Sequence, residues 1–489
     1  MLVLALDVGT SSARARVLDE RGRARTGALG HVAYETRTTP DGGVELDAES
    51  LLAAVVGAVD ECLAGCGGAA REIAAVGASV FWHSLLALDR AGRALTPVLT
   101  WADTRSAAAA YALRRELDER AVHQRTGAPL HSTFFPAKLR WLGETRPDLF
   151  GGAARWCGFA ELLQARFTGT LQCSLSMASG TGLLDQERGG WDAALLAAAG
   201  IAADTLPPID DDPRPGLIAP WAERWPALAR VPWYPAHGDG ACSNVGSDCA
   251  GPGRIALNVG TSAALRVVRP ERLGAPAATP DGLWRYRVDG RRALVGGATS
   301  EGGNVLAWCR KALALPVDDS ALDRALAAAP PDGHGLSALP FFAGERSPGW
   351  RPEARAAVTG LSLATDAVEI TRALLEGTAF RLAEIYDRLR PLAESSHMVI
   401  GSGGALGHSP TWAQIITDAL GVPMGLGPDT EASIRGAALL TLEALGVEAP
   451  PPADPVRILR PDPARHARYR TARQRQSRLY DNVVGYRDS

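Results

Sequence analysis

The chain repeats itself once. Residues 2–18 read LVLALDVGTSSARARVL, and residues 255–268 read IALNVGTSAALRVV. Each copy has an apolar run, then Asp or Asn, then Val-Gly-Thr-Ser, then a second β-rich run. A spacing of about half the chain is too long for a solenoid and suits a duplicated domain. Each copy predicts a strand, a tight Gly-Thr-Ser turn and a returning strand. A length of 489 residues allows two to four domains with ample core. The repeat favours two.

Around the first copy, a further strand-like stretch runs from His31 to Glu45. Asp47 then opens a helix through AESLLAAVVGAVDECLAG, and the strand-like IAAVGAS follows at 73–79. Strands alternating with amphipathic helices predict an α/β architecture. Residues 203–235 are rich in Pro and Asp and read as an irregular surface excursion. The small-residue stretch GSDCAGPG at 246–253 precedes the second copy, so the domains are expected at 1–247 and 248–489. In the second half, Asp366 and Glu369 form a capping box for the longest helix. Ser409 caps another, with Pro410 at its first position and Gly421 at its stop. Residues 448–463 read as a proline-rich linker. The tail 465–478 holds six arginines and reads as a solvated helical face rather than an anion-binding patch.

The 51 Lys and Arg nearly balance the 54 Asp and Glu, for a net charge of −3. No global field therefore draws the chain to nucleic acid or an anionic membrane. The start MLVLALDVGT lacks the form of a signal peptide, and there is no run of about 18 uncharged apolar residues. Seven cysteines, none in a CxxC pair, predict reduced and mostly buried thiols and a cytoplasmic location.

The chemistry concentrates at a few turns. A Gly-Thr-Ser turn presents backbone N–H groups and hydroxyls to one point, as phosphate oxygens require. Two such turns could clamp a polyphosphate from both sides of a cleft, although no GxxxxGK[ST] P-loop is present. Where the copies differ, Asp7 stands against Asn258. Asp7, ending a buried strand beside the phosphate turn, is suited to Mg²⁺ or its waters. The cluster GSGG at 401–404 would let a flat base approach the backbone. Asp239, between two glycines in AHGDGACSN, could accept a proton from a hydroxyl. Between 81 and 106, Trp82, His83, Trp101, Asp103 and Arg105 mix aromatic faces with hydrogen-bonding groups, a surface that suits a sugar. Each of these features also has a plain reading as a turn or as core packing.

Taken in order, the motifs resemble those of the FGGY carbohydrate kinases, within the actin/hexokinase/Hsp70 ATPase superfamily. DVGTSSARARVLD and NVGTSAAL resemble the family's two phosphate hairpins, and HGDGACSNVG its catalytic loop. GERSPGWRPEARAAVTGLSLATDAVEITRALLEGTAF, SGGALGHSPTWAQIITDALG and EASIRGAAL resemble its C-terminal stretch, adenine-binding turn and closing glycine motif. The resemblance implies two duplicated ribonuclease H-like domains flanking a cleft. ATP would lie between them, with a sugar deep in the cleft. The first domain would carry the sugar site, the first hairpin and the catalytic Asp; the second, the other hairpin and the adenine site. By position it makes Asp239 the general base and places Asp7 at the metal. It puts Gly9, Thr10, Ser11, Arg14, Gly260 and Thr261 at the phosphates, and Gly303, Gly403 and Gly404 at the nucleotide. Trp82, His83 and Asp103 occupy substrate-contacting positions.

Glycerol kinases carry an Arg-Glu pair where this chain has Trp82-His83, and a His there resembles xylulokinases. The wording overall is most similar to the gluconokinase branch, which implies phosphorylation of gluconate. Its carboxylate needs a cationic partner, with Arg105, Lys138 and Arg346 as candidates. A xylulokinase or another ketose or polyol kinase is the alternative. An actin- or Hsp70-like ATPase without sugar kinase activity is a reading from another class. The implied partners are a small sugar or sugar acid and ATP, and a homodimer is open to the chain.

Overall fold

The computed structural model describes residues 1–427 and 431–485. Each half is built on one mixed sheet. In the first, β1 (Leu2–Val8), β2 (Ser12–Asp19), β3 (Ala24–Ala33), β4 (Ile73–Val80) and β5 (His237–Gly238) lie in the order β5-β4-β1-β2-β3. In the second, the strands are β6 (Arg254–Val259), β7 (Ala263–Pro270), β8 (Trp284–Arg287), β9 (Arg292–Thr299), β10 (Met398–Ser402), β11 (Met424–Leu426) and β12 (Arg457–Leu459). Their order is β8-β9-β7-β6-β10-β11-β12. The duplication holds in topology as well as in sequence. β1 runs antiparallel to β2 and parallel to β4, as β6 runs antiparallel to β7 and parallel to β10.

The turns of the two hairpins differ by one residue. Val8 pairs with Ala13, leaving four residues in the first turn, whereas Val259 pairs with Ala263, leaving three. Nearly every residue of β1 is buried, because helices cover both faces of the sheet. On one side α1 (Ala48–Cys66), capped by the Asp47 carboxylate, packs on β2 and β3. By composition and length α1 could cross a membrane; in this fold Leu51, Leu52, Val55 and Val59 are buried. Each such side chain contributes roughly 1.5–3 kcal/mol relative to exposure.

On the other side lies a helix from far along the chain. α2 (Asp239–Gly246) packs against α6 (Ala432–Ala444), and α6 also rests on β1 and β4. Two glycines make that crossing close. A Cβ on Gly246 would stand 1.8 Å from the Ala432 carbonyl oxygen, and one on Gly436 1.8 Å from that of Cys242. The glycine of EASIRGAAL is thus a helix-crossing glycine.

The remaining second-half helices that matter for the site are α3 (Gly303–Ala312), α4 (Ala367–Leu389) and α5 (Pro410–Leu420). Asp366 and Glu369 form the expected capping box on α4. Ser409 caps α5, Pro410 opens it and Gly421, left-handed at φ 72°, ends it. The stretch from His31 to Glu45 is not one strand. β3 starts earlier and stops at Ala33, and Arg37–Thr38 and Val44–Leu46 form a small sheet with Val98–Leu99. The cause is the Pro-Asp-Gly-Gly turn at 40–43, where Gly42 takes φ 95°. Residues 203–235 are irregular, broken by short turns and the helix Trp221–Arg224. All seven cysteines are free and buried. The arginine-rich tail lies on α7 (Pro463–Val483), which buries Tyr469, Ala472 and Gln476 and pairs Arg473 with Asp387.

Candidate active site

Parallel strands deliver the candidate residues to one edge of the first sheet. Asp7 near the end of β1 is in register with Ser79 of β4, and Ser79 with His237 of β5. Trp82 and His83 follow β4 directly, and Asp239 follows β5 as the first residue of α2. The C-terminal edge of parallel strands is where α/β folds place ligands.

Asp239 is fixed by its surroundings. Its Oδ1 accepts from the Gly240 amide at 2.9 Å, and the helix N-terminus favours its charged form. Burial nevertheless raises its carboxyl above the ordinary value, against the pull of Arg266 and Arg346. Arg266 comes from β7 and Arg346 from the loop before α4, so the second half supplies the positive charge that faces the first half's carboxylate. The Nε of each arginine is buried without a hydrogen-bond partner among the described residues. Glu301, beyond β9, is also buried and acts on Arg346; burial pushes its carboxyl up to about 8.

The Gly9–Ser11 turn is held from behind. The carbonyls of Gly9, Thr10 and Ser11 accept from the Tyr34 hydroxyl, the Thr36 hydroxyl and the Tyr34 amide, at 2.7, 2.8 and 3.0 Å. The Gly9 amide donates to the Ser12 carbonyl at 3.0 Å; with the turn's carbonyls directed back, the Thr10 and Ser11 amides are the ones that could meet a ligand. Asp7 pairs across the hairpin with Arg14, and Arg14 lies 3.9 Å from Glu431. Burial, with a smaller contribution from Asp239, pushes the Asp7 carboxyl up to about 6. A buried carboxylate facing another carboxylate suits a divalent cation, so the donor set fits Mg²⁺.

In the second half, Gly260, Thr261, Gly303 and Gly404 come together in one cavity of about 580 Å³, with Asn304, Arg310, Asp323, His408 and Ser409. That volume is within the range of small-molecule sites. The Gly303 amide donates to the Gly260 carbonyl at 2.7 Å, joining α3 to the second hairpin. Gly403 adopts φ 100°, and a Cβ there would meet the Val259 carbonyl oxygen at 2.4 Å. Gly9, Thr10, Ser11 and Arg14 do not line this cavity; they belong to the first hairpin, on the other half, where Arg14 pairs with Asp7.

The expected sugar residues take several different roles. Trp82 is 5% exposed and donates to the Ser176 carbonyl at 3.1 Å, packed against Tyr286. His83, left-handed at φ 64°, is buried, with Nδ1 2.6 Å from the Gly180 carbonyl oxygen. A carbonyl only accepts, so Nδ1 carries the proton and Nε2 is an acceptor. Burial keeps the ring well below its ordinary pKa, hence neutral. Asp103 is buried and accepts from the Val44 amide and from Arg105.

Two of the three cations weighed for a carboxylate are already engaged. Arg105 is held by Asp103 and Glu45. Lys138, 1% exposed, donates to the carbonyls of His83 and Thr100 at 2.7 Å each and of Leu99 at 3.4 Å. That uses all three of its N–H bonds. Arg346 is the third, lying 5.2 Å from the Trp101 ring. Sequence reasoning missed Arg266, Glu301, Tyr34, Thr36 and His131. Only Arg266 left a signal, a lone charge inside the apolar run of a strand.

One further acid–histidine cluster, Asp332, His334 and Glu376, is closed on itself. His334 Nδ1 accepts from the Leu336 amide, so Nε2 holds the proton and donates to Glu376 at 3.1 Å. Glu376 also takes Arg372 and Tyr469, and Asp332 takes Arg475.

Comparison with known proteins agrees with this architecture. The N-terminal domain model of the FGGY family of carbohydrate kinases matches residues 2–246, and its C-terminal domain model matches residues 255–445. The chain belongs to the FGGY family of carbohydrate kinases. It is therefore a phosphotransferase that uses ATP and acts on a sugar hydroxyl. It is 27% identical over 468 residues to a gluconokinase from Bacillus subtilis (strain 168), covering 91% of this chain and 88% of that one. It is 32% identical over 466 residues to a glycerol kinase from Aromatoleum aromaticum (strain DSM 19018 / LMG 30748 / EbN1), covering 91% and 90%. A solved xylulose kinase from Lactobacillus acidophilus superposes with a TM-score of 0.89 at 25% identity, over 99% of this chain and 98% of that one.

Proposed function

We propose that this kinase phosphorylates the primary hydroxyl of a sugar acid, with gluconate the favoured substrate and 6-phosphogluconate the product. Identity alone does not separate the three substrates named among the relatives. The charge of the cleft favours an acid. The carrying observation is Arg346, which faces Asp239 with its Nε unpartnered, while Arg105 and Lys138 are already engaged. A hydroxyl of a neutral ketose could accept from that donor as well; a carboxylate does so with opposite charge, which makes the bond roughly twice as strong.

Phosphoryl transfer needs positioning and charge neutralisation more than covalent chemistry. In this reading Asp239 takes the proton from the attacking hydroxyl. Burial makes its carboxyl a better base than an exposed aspartate, while Arg266 and Arg346 pull toward its charged form. Asp7 would hold Mg²⁺, which when bound neutralises charge on the phosphates. The turns at Gly9–Ser11 and Gly260–Thr261 hold phosphate oxygens, and the cavity lined by Gly303 and Gly404 takes the nucleoside. His83 Nε2 accepts a hydroxyl of the sugar. Approach of the two halves brings Arg266 and Arg346 to Asp239 and excludes water.

The test is an ADP-release screen across gluconate, xylulose, ribulose, glycerol and related polyols. Gluconate is expected to exceed the neutral compounds in kcat/KM by at least about tenfold. A neutral sugar at the top of the series overturns the acid assignment.

A further inference from the structure

His131 lies in the loop between the helices Glu119–Thr126 and Phe135–Thr145 and is 8% exposed. The Thr133 hydroxyl and backbone N–H both lie at its Nδ1, 3.0 and 3.2 Å away; the N–H can only donate, so Nδ1 carries a lone pair and the ring proton is on Nε2. That Nε2–H is buried and has no acceptor among the described residues. Burial and the neighbouring Arg346 push the ring down to about 3, so it is a neutral donor that can stand beside a guanidinium. Buried donors are nearly always satisfied, so a bare one marks a place for an acceptor from ligand or water.

The surroundings show where that ligand would lie. Trp350 packs 5.2 Å from the His131 ring, and its amide donates to the Arg346 carbonyl at 2.7 Å. One tight turn therefore fixes Trp350 and Arg346 together. Arg346 in turn lies over Trp101, whose carbonyl accepts from the Thr133 hydroxyl at 3.2 Å. Arg346 is the charge common to Asp239 and His131. A proton acceptor, Asp239, and a bare N–H donor, on His131, are thus both within the influence of Arg346. An aldonate chain has the complementary groups, with a primary hydroxyl at one end and a carboxylate at the other. Its two carboxylate oxygens have enough lone pairs for both Nε–H groups.

We propose that His131 is a specificity-determining residue of the sugar cleft, donating from Nε2 to the substrate carboxylate alongside Arg346. The inference rests on the sugar-acid reading and names the group that completes it.

The experiment measures calorimetric Kd values for gluconate and for glucitol, its neutral polyol counterpart, with wild type, His131→Leu and His131→Gln. The Leu variant removes the donor; Gln places an amide N–H near the Nε2 position. His131→Leu is expected to lower the preference for gluconate over glucitol at least about tenfold, and His131→Gln to hold it within about threefold. Equal preference in wild type and the Leu variant overturns the inference, as does a Gln variant that loses as much as Leu. If wild type binds glucitol as tightly as gluconate, the sugar-acid reading fails and this inference with it. If wild type prefers acids and His131→Leu does not matter, the reading survives and only the inference falls.

Discussion

Trp82 lies against the turn that carries Asp239, so closely that a Cβ on Gly238 would stand 1.8 Å from its indole Cε2. A Cβ on Gly240 would reach Cζ3 at 2.7 Å. The glycines on either side of the proposed base are there because an indole occupies the space their side chains would need. Trp82 therefore fixes the position of the turn that carries Asp239.

Gly238→Ala should force the indole or the turn aside. The cost expected of such overpacking is about 1–3 kcal/mol, with turnover falling as Asp239 moves. Replacing Trp82 with Leu in the same chain should recover part of the loss. Denaturant unfolding of the single and double variants measures this; strictly additive losses would mean that the two residues do not meet.

In the sugar-acid reading, Arg105 is a structural charge and Arg346 the charge that meets the substrate. Arg105→Ala should lower stability by leaving Asp103 and Glu45 buried without their partner, and affect acid and neutral substrates alike. Arg346→Met should raise KM for gluconate at least about tenfold more than for a neutral sugar. Steady-state kinetics with both substrates decides; the reverse pattern would return the carboxylate to Arg105.

The neutral ring of His131 has a consequence for stability in acid. Its pKa falls from 6.5 to about 3 on folding, so below pH about 6.5 the unfolded chain binds a proton that the folded chain does not. Stability from this group is full above that pH and is lost as pH falls toward 3. Relative to His131→Gln, wild type should lose about 1.4 kcal/mol per pH unit between about pH 6 and 4.5. Urea unfolding of both proteins across that range gives the difference; parallel curves would show that the ring is protonated in the fold.

Much of the scaffold was legible because it rests on local chemistry. The paired Val-Gly-Thr-Ser turns, the Asp366–Glu369 box and the Ser409 cap announce themselves within a few residues. What the sequence concealed depends on partners far away along the chain. Arg105 reads as a free cation until Glu45, 60 residues earlier, is seen to hold it. Lys138 is engaged by backbone carbonyls, which no side-chain pattern announces. Trp82 looked like a sugar platform, but the Asp239 turn covers it. Arg266 is brought to Asp239 only by the meeting of the two halves. Nothing in the sequence singles out His131, since its missing acceptor shows only once the tautomer is fixed by Thr133.

The account centres on proton transfer to Asp239, and Asp239→Asn tests it most directly. The amide keeps the size of the side chain and removes its basicity. Turnover with gluconate should fall at least about a hundredfold, the scale expected for a lost general base, while ATP affinity stays within about threefold. Turnover within a few fold of wild type would contradict the assignment.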